Sequence, residues 1–165
     1  MRTKLLSLFA ASLLLAACET TPATTAGAGG SGAATTATAA APRTGPVPGS
    51  QQDLVVNVGD RVFFDLDKSD LKPEARRTLE RQAAWLKQYG NVAVTIEGHC
   101  DERGTREYNL ALGDRRAKAA SNYLVSLGIA ATRIKSISYG KERPAVLGSN
   151  EAAWSQNRRG VTVVN

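Results

Sequence analysis

The sequence predicts an α/β fold in which helices pack on a small sheet, and three observations carry that prediction. Apolar residues alternate along Val92, Val94 and Ile96, the period-two pattern of a strand with one buried face. Along Ala75, Leu79, Ala83, Leu86 and Tyr89 they recur instead at steps of three and four, which places them on one face of a helix. Segments of the two kinds then alternate from residue 53 to residue 165 as strand, helix, strand, helix, strand, helix, strand. That order layers helices on a sheet in a two-layer α/β sandwich.

Each element has its own signals. Leu54-Val55-Val56 and Arg61-Val62-Phe63-Phe64 are β-rich and interrupted by Gly59-Asp60, which predicts a bent strand or a hairpin. Lys72-Pro73-Glu74 opens the first helix with a proline at the first turn and an acid beside it, and Gly90-Asn91 closes it. The strand around Val94 leads into a polar loop, His99 to Glu107, centred on Gly104. A second helix runs from about Tyr108 to Leu127 and ends at Gly128. Ile134 to Tyr139 is a third strand stopped at Gly140, Lys141 to Ser149 a loop, Glu151 to Arg158 a short helix, and Gly160 to Val164 a last strand.

The start of the 165-residue chain is organised differently. Arg2 and Lys4 precede an uncharged run from Leu5 to Ala17, the layout of a secretory signal and too short to span a bilayer. The run ends Leu15-Ala16-Ala17-Cys18, which looks like the lipobox of bacterial lipoproteins, so residues 1–17 read as a signal peptide and Cys18 as the lipidated first residue of the mature chain. Glu19 after the cysteine, by resemblance to Gram-negative lipoproteins, implies transport to the outer membrane. Several acyl chains at about 0.8 kcal/mol per buried methylene anchor a protein firmly where one chain does not. From Thr20 to Gly49, 28 of 30 residues are Ala, Thr, Gly, Ser or Pro, a composition that cannot bury enough surface to order itself. Residues 18–52 are thus expected to be a lipidated leash with a coil span of roughly 30 Å and a reach of about 100 Å.

The rest of the composition narrows the function classes. The net charge is +6, and losing Arg2 and Lys4 with the signal leaves about +4, a modest excess that suits an anionic polymer or an acidic partner. Nucleic acid fits poorly, because no run of Lys and Arg is interleaved with aromatics. Once Cys18 is acylated, Cys100 has no partner within the chain, so no disulfide framework is expected. One histidine and one remaining cysteine fall short of a metal site, and no cofactor motif is present. His99-Cys100-Asp101 holds the residue types of a cysteine hydrolase acting on cell wall, but three adjacent positions at a strand end project in alternating directions and do not form a nucleophile–base–orienter chain. His99 reads instead as a hydrogen-bonded structural residue and Cys100 as a small buried one, with no catalytic residue in the chain.

One position breaks the pattern. The inward stripe of the second helix comprises Leu112, Arg116, Ala119, Ala120, Tyr123, Leu124 and Leu127, so a guanidinium falls on the apolar face. It needs either a protein carboxylate or a ligand carboxylate, which its planar fork binds bidentately. Asp101 sits in the loop leading into the same helix, where ligand groups of α/β folds often gather. Asp101 and Arg116 on either side of one small pocket suit a ligand that carries both an ammonium and a carboxylate; a salt bridge between them is the competing reading.

The run Gly98-His99-Cys100-Asp101-Glu102-Arg103-Gly104-Thr105, then Glu107-Tyr108-Asn109-Leu110-Ala111-Leu112-Gly113, then Arg115-Arg116-Ala117, resembles the OmpA-like peptidoglycan-binding domain, in the version carried by peptidoglycan-associated lipoproteins. Val62-Phe63-Phe64-Asp65, Ser138-Tyr139-Gly140-Lys141 and Asn157-Arg158-Arg159 extend the likeness over residues 53–165. The resemblance implies an α/β sandwich with helices on a mixed sheet and non-covalent binding of peptidoglycan at the diaminopimelate of its stem peptide. Asp101 would take the ammonium at the far stereocentre and Arg116 its carboxylate, with Asn109 and Leu112 lining the pocket and Phe64 and Asp65 on the opposing loop. It also implies an outer-membrane lipoprotein facing the periplasm, a partner in TolB, and a place in the Tol–Pal system that draws the outer membrane inward at division. Another lipidated wall anchor outside that system is the alternative.

Overall fold

The computed structural model describes residues 45–165. The predicted signal peptide, the lipidation of Cys18 and the linker up to residue 44 lie outside the described residues. The chain enters the fold through a helix, not a strand. Ser50 accepts the Asp53 N–H (3.2 Å) to start α1 (Gln51–Asp53), which continues as a π-helical turn over Leu54–Val58. This corrects the strand expected at Leu54-Val55-Val56. The Asp53 carboxylate accepts from the Gly49 N–H (2.8 Å), the Trp85 indole (2.9 Å) and the Asn57 amide (2.7 Å), and these donors hold it below the usual carboxylate range. Leu54 is buried while Val55 and Val56 are exposed, so the turn buries one residue against the core instead of pairing with a neighbour. Gly59, at φ +95°, ends the turn and donates to the Leu54 carbonyl (2.8 Å). Gln51, at the end of the predicted linker, accepts from the Val164 N–H (2.7 Å) and donates to the Thr162 carbonyl (3.3 Å).

Then follow β1 (Arg61–Phe63), α2 (Pro73–Gln88), β2 (Val94–His99), α3 (Arg106–Ser126), β3 (Ile134–Gly140), α4 (Glu151–Asn157) and β4 (Arg159–Val164). The strands form one sheet in the order β1-β4-β2-β3. β2 and β3 are parallel, from Val94↔Ile134 onward, and α3 is the crossover between them. β4 lies antiparallel to both β2 and β1, so the sheet is mixed, as the resemblance implies. α3 begins at Thr105, whose side chain accepts the Tyr108 N–H (3.2 Å), and α4 at Asn150, which accepts from Ala153 (3.0 Å).

Val94, Ile96 and Gly98 are buried on β2, and between them Thr95 and Glu97 are half-buried. The first set meets Leu79, Ala83 and Leu86 of α2 and Ala117, Ala120 and Leu124 of α3 in a single core. At Gly98 the helix comes closer than any side chain allows. A methyl group there would overlap the Gly113 carbonyl oxygen, and one at Gly113 would overlap the Ser138 hydroxyl. This bare crossing seats the first turns of α3 beside the end of β2. Just beyond it the register with β3 slips, so that His99 pairs with Gly140, and the Cys100 N–H donates to the Gly140 carbonyl (2.7 Å).

His99 is 2% exposed and packs against Tyr139, with ring centroids 5.5 Å apart. The hydrogen-bonded histidine expected from the sequence is not what forms. Neither ring nitrogen has a hydrogen-bond partner among the described residues, although a Glu97 carboxylate oxygen lies 3.4 Å from Nε2. Burial, and after it the positive charge of Arg159, push the imidazole pKa down to about 4.

Two expectations follow. Gly98→Ala lowers stability by about 1–3 kcal/mol or more, because the obstacle is helix backbone that cannot rotate away; urea titration of both proteins measures it. An unfolded histidine titrates near 6.5, so below that pH the unfolded chain binds the extra proton first. Stability is therefore full above about pH 6.5 and falls as the pH drops toward 4, by about 3 kcal/mol for this group. Urea midpoints at pH 7 and pH 4.5 should differ less in His99→Gln than in the native chain.

Candidate functional site

Arg116 is 0% exposed, the largest fully buried side chain among the described residues. Its Nε donates to the Lys68 carbonyl (2.8 Å), one terminal nitrogen to the His99 carbonyl (2.9 Å) and the Cys100 sulfur (3.4 Å), and the other to the Asp65 carbonyl (3.0 Å). The guanidinium carbon lies 5.2 Å from the centre of the Phe64 ring. The inward placement read from periodicity holds, but no carboxylate meets the side chain among its hydrogen-bond partners. Backbone carbonyls satisfy it, a solution that side-chain pattern cannot reveal. Burial pulls its pKa down, opposed by neighbouring Cys100 and Asp101. The stripe itself is also shifted: Asn109, Gly113 and Ala117 are buried on α3, whereas Ala119, Tyr123 and Leu127 are half-buried.

Asp101 is 5% exposed, and it does not pair with Arg116. Its Oδ2 takes Arg103 Nη2 (2.5 Å) and Arg158 Nη1 (3.3 Å), while Oδ1 takes the Arg103 backbone N–H (3.2 Å) and Nε (3.3 Å). Burial works against its charge, but these donors outweigh it and hold the carboxyl below its usual range. Arg158 in turn donates to Glu151 (2.5 Å) and to the Phe64 carbonyl (3.2 Å).

Asp101 and Arg116 line one cavity of about 330 Å³ at the end of β2. Asn109 and Leu112 line it too. The Asn109 amide donates to the carbonyls of Arg103 (2.7 Å) and Thr105 (3.1 Å), so it shapes the Asp101 loop as well as the wall. Phe64 and Asp65 are not among the lining residues. Phe64 is buried beneath the Arg116 guanidinium, and the exposed Asp65 carboxylate pairs with Lys72 (2.6 Å). The next two residues, Leu66 and Asp67, form the opposing rim instead. Asp67 sits at φ +56° and accepts from the Tyr108 hydroxyl across the mouth.

Sequence reading missed Arg103, Tyr108 and Arg158 as lining groups. Arg103 was within reach, two residues from Asp101 in the same loop. Arg158 comes from the far end of the chain, and only the pairing of β4 with β2 brings it to the wall. Cys100 also faces the cavity, its thiol 3.3 Å from the Asn109 carbonyl, and burial pushes its pKa up. Among the described residues no cluster of three or more His, Cys, Asp or Glu side chains could hold a metal ion.

Comparison with known proteins agrees with this architecture. The OmpA family model matches residues 63–158. A protein of Agrobacterium fabrum named Peptidoglycan-associated lipoprotein is 60% identical over 117 residues, which is 71% of this chain and 66% of that protein. One of the same name from Mesorhizobium japonicum is 59% identical over 118 residues, 72% of this chain and 70% of the relative. The chain thus spans about two thirds of the length of these curated relatives. The crystal structure of the peptidoglycan-associated lipoprotein from Burkholderia pseudomallei aligns at 40% identity with a TM-score of 0.63, over 64% of this chain and 90% of that one. With helices on a four-stranded mixed sheet and a match across most of the folded region, the chain belongs to the OmpA family.

Proposed function

We propose that this chain is an outer-membrane lipoprotein that binds peptidoglycan without covalent bonds and so tethers the membrane to the cell wall. The ligand group is the diaminopimelate of the stem peptide: Asp101 receives its ammonium and Arg116 its carboxylate, with Asn109 and Leu112 as walls. The observation that carries the reading is the cavity that Asp101 and Arg116 share, an anion and an unneutralised cation beside one opening. Carbonyls satisfy the hydrogen-bonding demand of Arg116 without cancelling its charge, so its field still favours a carboxylate in the cavity. The names of the relatives at 59% and 60% identity support peptidoglycan as the polymer and lipidation as the anchor. Cys18 would hold the acyl chains, and the domain would face the periplasm.

The chain works as a binder, not an enzyme. A cysteine hydrolase needs a thiolate, and the Cys100 thiol is buried, raised in pKa and turned to the Asn109 carbonyl. We place TolB and the Tol–Pal system as its partners in drawing the outer membrane inward during division, on the strength of the sequence resemblance.

In sedimentation with insoluble sacculi, Asp101→Asn is expected to lose at least about tenfold in affinity while keeping its helical signal. Native-like binding by that variant would remove Asp101 from the ligand site. Arg116→Ala should lower stability by about 2–4 kcal/mol, because it opens a cavity and orphans three carbonyls, and this shows in its urea midpoint. Capture of TolB by the native chain, and release of the chain from membranes by Cys18→Ser, test the remaining assignments.

A further inference from the structure

A carboxylate has about four acceptor positions, and all four at Asp101 are filled from within the chain. Three of the donors belong to Arg103: its backbone N–H and Nε at Oδ1, and Nη2 at Oδ2; the fourth is Arg158 Nη1. A ligand ammonium can reach Asp101 only by displacing one of them.

The donors are not equally held. The Arg158 side chain is 7% exposed and is fixed also by Glu151 and by the Phe64 carbonyl. The Arg103 side chain is 33% exposed; beyond Asp101 it makes no side-chain hydrogen bond among the described residues and rests on the face of Trp154, 4.0 Å from the guanidinium carbon to the ring centroid, with the Glu151 and Glu102 carboxylates acting on it only at longer range. That ring is itself pinned by its indole N–H to Glu102 (3.0 Å). The side-chain bonds of Arg103 are therefore the labile pair, while its backbone N–H and Arg158 keep the carboxylate oriented.

We propose that Arg103 is the specificity-determining residue of this site, an internal ligand of Asp101 that is exchanged for the incoming ammonium. This rests on the reading of Asp101 as the ammonium seat. Exchange leaves a guanidinium at the cavity wall without its counter-ion. A ligand that ends in an ammonium alone breaks the Arg103–Asp101 pair and returns nothing to Arg103. A ligand that carries a carboxylate on the same carbon returns an anion to the freed guanidinium, and Arg116 stands in the same wall to share it. The site therefore accepts a zwitterionic side-chain terminus and refuses a plain amine. In wall chemistry that separates stem peptides with diaminopimelate at the third position from those with lysine.

The test titrates the full chain in detergent with two soluble muropeptides that differ only in diaminopimelate or lysine at that position. The native chain should prefer the diaminopimelate form by at least about tenfold. Arg103→Met should bind the lysine form more tightly and lower the preference at least about tenfold. Arg103→Gln, which keeps donors but no charge, should do the same and decides the matter if the methionine variant does not fold. A preference unchanged within about twofold in the folded variant, or equal losses for both ligands, overturns the proposal. Asp101→Asn separates the two levels. If it binds the diaminopimelate form as the native chain does, the ammonium seat itself is wrong; if it loses that ligand while the Arg103 variants keep the native preference, only the role of Arg103 fails.

Discussion

A buried guanidinium held by backbone carbonyls is the constraint on which the rest of this structure depends. Arg116 ties its own helix, α3, to two other pieces of chain: the end of β2 through His99, and the β1–α2 connection through Asp65 and Lys68. A charge out of water costs several kcal/mol unless its donors are met. Carbonyl dipoles meet those donors and add no net negative charge, so the same contacts that staple the loop leave a positive wall in the cavity. Had a carboxylate filled that role, the fold would be as well tied and the cavity would have lost its attraction for an anion.

The close crossing of α3 over β2 makes this arrangement geometrically possible. With no side chain at Gly98 or Gly113, helix backbone lies against strand backbone, and the first turns of α3 stand beside the strand end. Asn109, Leu112 and Arg116 then project into the space next to the Asp101 loop. Arg158, delivered by the junction of α4 and β4, closes the other side of Asp101. The resulting site sits at a strand terminus, where α/β folds commonly gather ligand groups, with polar groups supplied by the loop before α3, by α3 itself and by the residue after α4.

Charge within the cavity is layered, not simply paired. Asp101 has two arginines around it and Arg116 has carbonyls, so the lining carries three cations against Asp101 and the rim acid Asp67. Such an excess draws anionic groups, and a single acid placed among the cations adds a requirement for positive charge at one point. Under the proposed function, a ligand with both charges on one carbon would meet both demands at once, whereas a simple anion or a simple amine would leave one of them unmet.

The sequence by itself determined the α/β class, the two long helices and the strands after the first, because hydrophobic period and terminal signals such as Pro73 and Gly128 are local properties. It also determined that Arg116 turns inward and that Asp101 stands at the loop before the same helix. The helical turn at Leu54–Val58 was hidden, because hydrogen bonds to the Asp53 carboxylate from the Gly49 backbone N–H and the Asn57 and Trp85 side chains overrode a β-branched run. Only the tertiary structure decided what each charged group touches: carbonyls for Arg116, Arg103 and Arg158 for Asp101, a neighbouring lysine for Asp65. Those partners lie up to 57 residues apart in sequence or on backbone atoms that every residue shares, and neither leaves a mark in the order of side chains.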